Sequence, residues 1–170
     1  MTLRALLASL LLFGATAQAA TLSVDIEIPR LNVAEYHRPY VAVWIEPEAG
    51  RDAHSLAIWY DHRMADREGE KWLKDMRQWW RRDGRSLSMP ADAISSATRP
   101  PGAHTLTADD TAAPLSQLAA GRYVLHIEAA REVGGREVLS LPFQWPPTAP
   151  IEHQASGDSE LGNAVLRLSP

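Results

Sequence analysis

The residues most able to do chemistry lie in one segment, Asp92-Ala93-Ile94-Ser95-Ser96-Ala97-Thr98-Arg99-Pro100-Pro101-Gly102. It offers hydroxyls on Ser95, Ser96 and Thr98 among small neighbours, one apolar anchor at Ile94, and a proline pair that fixes an extended exit. A plain surface turn has the same composition, so spacing alone leaves both readings open. Elsewhere the signals are thin. The His residues, at 37, 54, 62, 104, 126 and 153, are scattered, with no pair at metal-ligand spacing. His126 lies among strand hydrophobics and is expected to be a hydrogen-bonded structural residue, while His54 and His62 merely flank one strand. The pairs Asp109-Asp110 and Asp158 with Glu160 read as turn chemistry or solvated loop charge. No Gly-rich phosphate loop or nucleophile elbow occurs, and with zero Cys there is no thiol catalysis, Cys-ligated metal or disulfide scaffold. An enzyme with its own substrate is the least supported class.

Aromatic residues are the second resource. Six Trp stand beside only two Phe. Between Glu70 and Arg82, Trp72, Met76 and Trp79 fall at i, i+4 and i+7 with Leu73 and Trp80 beside them, and charged residues fill the remaining positions. This predicts one amphipathic helix over about 67–82, stopped by Gly84 and packed on an edge of a sheet. Helical stripes are mostly core, and the alternative use is a Trp left partly exposed to stack on a planar ligand.

The elements that must position these residues are strands. Leu22, Val24, Ile26 and Ile28 alternate with polar residues up to Pro29, the period of a half-buried strand. Tyr40-Val41-Ala42-Val43-Trp44-Ile45 is apolar on both faces and reads as a central strand, and Ser55 to Tyr60 follows the turn-forming Pro47-Glu48-Ala49-Gly50. Tyr123, Leu125 and Ile127 alternate after Gly121, and Gly134-Gly135 signals a hairpin leading to Val138, Leu139, Leu141, Phe143 and Trp145. Weaker strands are expected around Leu106 and over 165–168. Short strands with turns between them predict an all-β, immunoglobulin-like antiparallel sandwich over 21–146. Pro146 to Asn163, rich in Pro and small polar residues, reads as a linker within a tail over 147–170, with a last strand that returns to the sheet or frays.

Length and charge bound the rest. About 150 residues is one ordinary domain, able to fold on its apolar core without disulfides or metal. One positive charge at Arg4, an apolar run from Ala5 to Ala17 and the small-residue end Ala17-Gln18-Ala19-Ala20 read as a signal peptide over 1–20. The run is shorter than the roughly 20 apolar residues that a span needs, so a membrane anchor is not expected. Without Arg4 the chain keeps 16 basic against 21 acidic residues, a net charge of −5. That balance argues against a nucleic-acid binder working through a basic surface.

Asp92-x-x-Ser95-Ser96-Ala97-Thr98 resembles the Asp-x-x-(Ser/Thr)-Gly-Ala-Thr acceptor motif of proteins that carry FMN on a threonine through a phosphoester. The resemblance implies Thr98 as acceptor, with Asp92, Ser95, Ser96 and Ala97 at motif positions and a magnesium-dependent FAD:protein FMN transferase of the periplasm as the modifying enzyme. Thr98 would present its hydroxyl to that enzyme, the small Ser96 and Ala97 leaving room, and Arg99 beside it could pair with the phosphate charge. Ser96 stands where the motif has Gly, a substitution that carries a steric cost if the position requires φ > 0.

The runs Arg38-Pro39-Tyr40-Val41-Ala42-Val43-Trp44-Ile45-Glu46, Leu56-Ala57-Ile58-Trp59-Tyr60, Lys71-Trp72-Leu73 with Trp79-Trp80-Arg81, Ala97-Thr98-Arg99, Gly121-Arg122-Tyr123 and Glu128-Ala129-Ala130-Arg131-Glu132 together resemble domain-of-unknown-function family 2271 of periplasmic proteins, over roughly 21–145. Members of that family resemble the immunoglobulin-like module of flagellar hook-capping proteins in the Gly-x-Tyr strand entry. Their frequent company of flavin transferases and of membrane proteins of electron-transfer or iron-uptake systems implies a redox role. Two functions are therefore expected. One is a periplasmic FMN carrier modified at Thr98, with Trp72, Trp79 or Trp80, or else Trp44 and Trp59, stacking on the ring, and a membrane electron-transfer protein as partner. The other is a cofactor-free binding module of the same fold.

Overall fold

The computed structural model describes residues 19–170, so most of the segment read as a signal peptide lies outside the described residues. Among the described residues, nine strands form two sheets. The first sheet comprises β1 (Thr21–Ile28), β5 (Gly102–Asp109), β8 (Ile151–Ser156) and β9 (Asn163–Ser169), in the order β5-β1-β9-β8. The second comprises β2 (Tyr40–Pro47), β3 (His54–Trp59), the two-residue β4 (Ser95–Ser96), β6 (Gly121–Ala130) and β7 (Arg136–Trp145), in the order β4-β3-β2-β6-β7. All pairings are antiparallel except β3 with β4, and the protein is an all-β sandwich.

The two-residue period accounts for the core between the sheets. Leu22, Val24, Ile26 and Ile28 of β1 point inward against Val41, Val43 and Ile45 of β2 and Leu125, Ile127 and Ala129 of β6. β2 is the middle strand of its sheet, as a run apolar on both faces requires, because its other face is buried too. Ala42 and Trp44 of β2 join Ile58 and Tyr60 in a second apolar cluster, closed from outside by Leu73, Met76 and Trp79. The chain thus has a third layer, and it covers the face of the larger sheet rather than the expected edge.

That layer is not one α-helix over 67–82. Ala65–Asp75 winds as 3-10 turns with a kink at Asp66 and Arg67, both in the left-handed region, and only Arg77–Arg82 is α-helical (α1). A 3-10 turn has three residues, so side chains three apart share a face. The buried residues follow that rule: Leu73, Met76 and Trp79 are sealed, while Trp72, one position off, is 46% exposed. The expected linker is also corrected. Within it, Ile151–Ser156 pairs residue for residue with β9, from Ile151 opposite Leu168 to Ser156 opposite Asn163.

One carboxylate anchors the third layer. Glu128, on the outer face of β6 and fully buried, accepts hydrogen bonds from the amides of Gln78 (3.1 Å) and Trp79 (2.7 Å) and from Arg136 Nη1 (2.8 Å). It satisfies the orphan donors at the start of α1, where Met76 has no side chain to cap them. At the other end, Asp83 Oδ2 accepts from the amide and hydroxyl of Ser55 on β3, and Ser55 Oγ accepts from Trp79 Nε1 at 2.8 Å. Replacing Glu128 by Ala leaves two amides unpaired inside the protein. Denaturant unfolding followed by Trp fluorescence should show a loss of about 3 kcal/mol, with Glu128→Gln losing less; a loss under about 1 kcal/mol would show that the anchor is dispensable.

Candidate functional site

The segment Asp92–Arg99 runs along the free edge of β3, where backbone pairing holds it. Ile58 N donates to Ile94 O at 2.8 Å and Tyr60 N to Ser96 O at 2.9 Å. Ser95 Oγ accepts from the Ala91 amide at 2.9 Å, closing the turn that precedes β4, and Ala93 alone in this stretch takes a positive φ, 66°. Ser96 is extended strand, so a side chain at the motif's glycine position carries no backbone cost in this conformation. After Ser96 the chain leaves the larger sheet, passes Ala97 and Thr98, and enters the smaller sheet at Gly102, whose φ of 136° suits glycine.

Thr98, half-buried, lines a cavity of about 520 Å³ at one end of the larger sheet. β2 begins there with Tyr40, β6 ends there with Ala130, and the two residues are register partners. The cavity is walled by Tyr36, Arg38 and Tyr40 before and at the start of β2, by Arg131 and Glu132 after β6, by Asp61 after β3, and by Met64, Glu68, Trp72 and Asp75 from the 3-10 segment. Of the tryptophans considered for stacking, only Trp72 lies on this wall, with its ring half-exposed. Trp79 is sealed in the outer apolar cluster and has no free face. Trp80 packs tilted against it at 6.1 Å, away from the cavity. Trp44 is buried and stacked on His126 at 4.9 Å, and Trp59 is buried in the inter-sheet core. Asp92 is exposed on the preceding turn and does not reach the cavity. Arg99 is already engaged, its guanidinium 5.4 Å over the Trp59 ring, so the cations facing the cavity are Arg38 and Arg131.

Sequence reasoning missed Tyr36, Arg38 and Arg131. The two runs Arg38-Pro39-Tyr40 and Ala130-Arg131-Glu132 carried the signal, since antiparallel pairing brings their ends together here. Arg131 is held from the last loop: Glu160, read as turn chemistry or solvated loop charge, is 3% exposed and binds Arg131 Nε at 2.8 Å and Nη2 at 3.1 Å. The hairpin glycines make room for this pair. A Cβ on Gly134 would lie 2.5 Å from Arg131 Cζ, and the Gly135 amide donates to Glu160 Oε1 at 2.7 Å. His126, as expected, is structural, with Nδ1 2.9 Å from Ser140 Oγ and Nε2 3.2 Å from Glu46. Asp109 accepts from the Thr111 amide at 2.9 Å, a turn contact.

The described residues define a β-sandwich with a helical layer on one sheet and a cavity at the strand ends. They include no group of three side chains arranged to hold a metal and no helix long and apolar enough to cross a membrane. Residues 21–163 match the sequence model of DUF2271, described as a predicted periplasmic protein. The chain belongs to that family and is periplasmic. No curated protein and no solved structure matches it.

Burial in the cavity wall pushes the Tyr40 phenol up to about 12, a rise that the hydrogen bond with the Asp61 backbone only partly offsets and that nearby Asp61 and Glu132 charges reinforce. The folded state therefore holds this proton more tightly than the unfolded chain, and stability should fall as pH rises from about 10 to 12. Tyr40→Phe should flatten that part of the stability profile in urea unfolding; an unchanged slope would mean that Tyr40 is not the group responsible.

Proposed function

We propose that this protein carries FMN joined by a phosphoester to Thr98 and serves electron transfer in the periplasm. The observation that supports this reading is that Thr98 and the half-exposed Trp72 line one cavity. Its volume of about 520 Å³ falls in the roughly 300–1,000 Å³ range of cofactor sites. The extended Ser96 also supports it, because the departure from the motif's glycine then imposes no strain.

In this reading the chain's residues bind and orient. Thr98 Oγ provides the point of attachment, with exposed Ala97 beside it leaving an approach for the transferase. Trp72 offers a ring face for offset stacking, and Met64 and Tyr40 add apolar wall. Arg38 supplies positive charge suited to a phosphate. The attached flavin supplies the redox chemistry, which the protein itself lacks. Attachment by an FAD:protein FMN transferase breaks the pyrophosphate of FAD, forms the phosphoester at Thr98 Oγ and releases AMP. A membrane electron-transfer protein is the partner proposed for exchange of electrons.

Co-expression with such a transferase and export to the periplasm should yield a chain that stays fluorescent after denaturing electrophoresis and gains the mass of one FMN less one water. Thr98→Ala should abolish both signals. A label persisting in Thr98→Ala refutes the site, and an unlabelled parent refutes the carrier reading in favour of a cofactor-free binding module.

A further inference from the structure

We infer that the mouth of this cavity is a docking surface for a protein whose own contact patch is apolar at its centre and ringed by Lys and Arg. Among the described residues, the large apolar side chains left exposed are Val33, Met64, Trp72 and Val133. All four belong to the cavity wall or to the loops that form it. Met64 and Trp72 line it, Val133 follows the lining residue Glu132, and Val33 stands three positions before the lining residue Tyr36, within about 11 Å of it along the chain. The two loops meet, because His37 Nδ1 lies 3.5 Å from Glu132 and the Tyr36 ring lies 6.0 Å from Arg131 Cζ. Apolar residues scattered singly over a surface need no explanation, whereas a set gathered round one opening marks a contact site.

Val133 supplies a second, independent observation. The Gly134 amide donates to the Arg131 carbonyl at 3.0 Å and closes a β-turn in which Val133 takes the second central position, with φ 52°. Positive φ there favours glycine, and a β-branched residue is strained. Two glycines follow at once, yet valine holds the position that glycine would relax, and it is 80% exposed. A side chain that exposed gains little from the fold itself, so the strain is repaid by a contact outside the chain. Charge selects the partner. Lys71 offsets Glu68 and Glu160 neutralises Arg131, which leaves Asp61, Asp75 and Glu132 against Arg38 in the cavity wall. An apolar centre bordered by cations complements such a face. Docking needs no attached group and so stands apart from the flavin reading, although a cofactor held in the cavity would face the docked protein directly.

The probe is a mitochondrial-type cytochrome c, a small cationic protein whose haem edge sits in an apolar patch among lysines. It is titrated calorimetrically at low ionic strength into the unlabelled exported chain, as parent, Val133→Gly and Met64→Gln, with the fold of each read by thermal unfolding. Neither substitution alters the charge. Val133→Gly should unfold at a higher temperature, because glycine relaxes the turn, and yet bind about fivefold more weakly. Met64→Gln, similar in size, should fold as the parent does and lose a similar factor. Added salt should weaken the parent's binding. Two variants that bind as the parent does would reduce the attraction to diffuse charge and overturn the inference, and a parent that does not bind the probe overturns it as well. Neither result touches modification of Thr98, which is read by label.

Discussion

The third layer depends on the burial of one charged group, Glu128. A carboxylate with no solvent contact is stable only if its oxygens are satisfied, and here the donors are the two amides at the start of α1 and one guanidinium nitrogen. The requirement is mutual, since a six-residue helix has little stability of its own and its first amides need acceptors. The Trp79–Ser55–Asp83 chain of hydrogen bonds secures the far end. With both ends fixed, the 3-10 segment before α1 has its facing set. Leu73 and Met76 go down onto the sheet, and Trp72 is turned to the side where the cavity lies.

A second buried charge organises the other wall. Arg131 and Glu160 are almost equally hidden, and each comes from a loop rather than a strand. Their pairing ties the β6–β7 hairpin to the β8–β9 loop and thereby joins the ends of the two sheets. The cavity that results is electrostatically mixed: Arg38 and Arg131 face Asp61, Glu68, Asp75 and Glu132 across it. Such a site suits a ligand that has a negatively charged end and a neutral, hydrogen-bonding end, and it suits a simple anion less well.

The strands were legible because a sandwich core imposes a two-residue period that few other structures share, and β1, β2, β6 and β7 display it plainly. β8 was not. Its sequence, Ile151 to Ser156, alternates too, but its inward side is half-buried and the flanking prolines suggested a linker. The helical segment misled for a different reason. Stripes at 3.6 and 3.0 residues per turn nearly coincide over two turns, so Met76 and Trp79 fit both and only Trp72 separates them. Thr98 was singled out by its motif and lines the cavity, whereas Arg131 is brought there by the end of the β2–β6 ladder and by a buried ion pair. Glu160 shows the limit clearly, since nothing local distinguishes a loop carboxylate in solvent from one that holds an arginine twenty-nine positions away.

If Thr98 carries flavin as proposed, the attached ring meets Trp72. Indole stacked on a flavin quenches its emission, so the fluorescence lifetime of the labelled, folded chain reads the contact directly. A short lifetime that lengthens in the folded Trp72→Phe variant is expected. Equal lifetimes in the folded parent and the folded Trp72→Phe variant would contradict it.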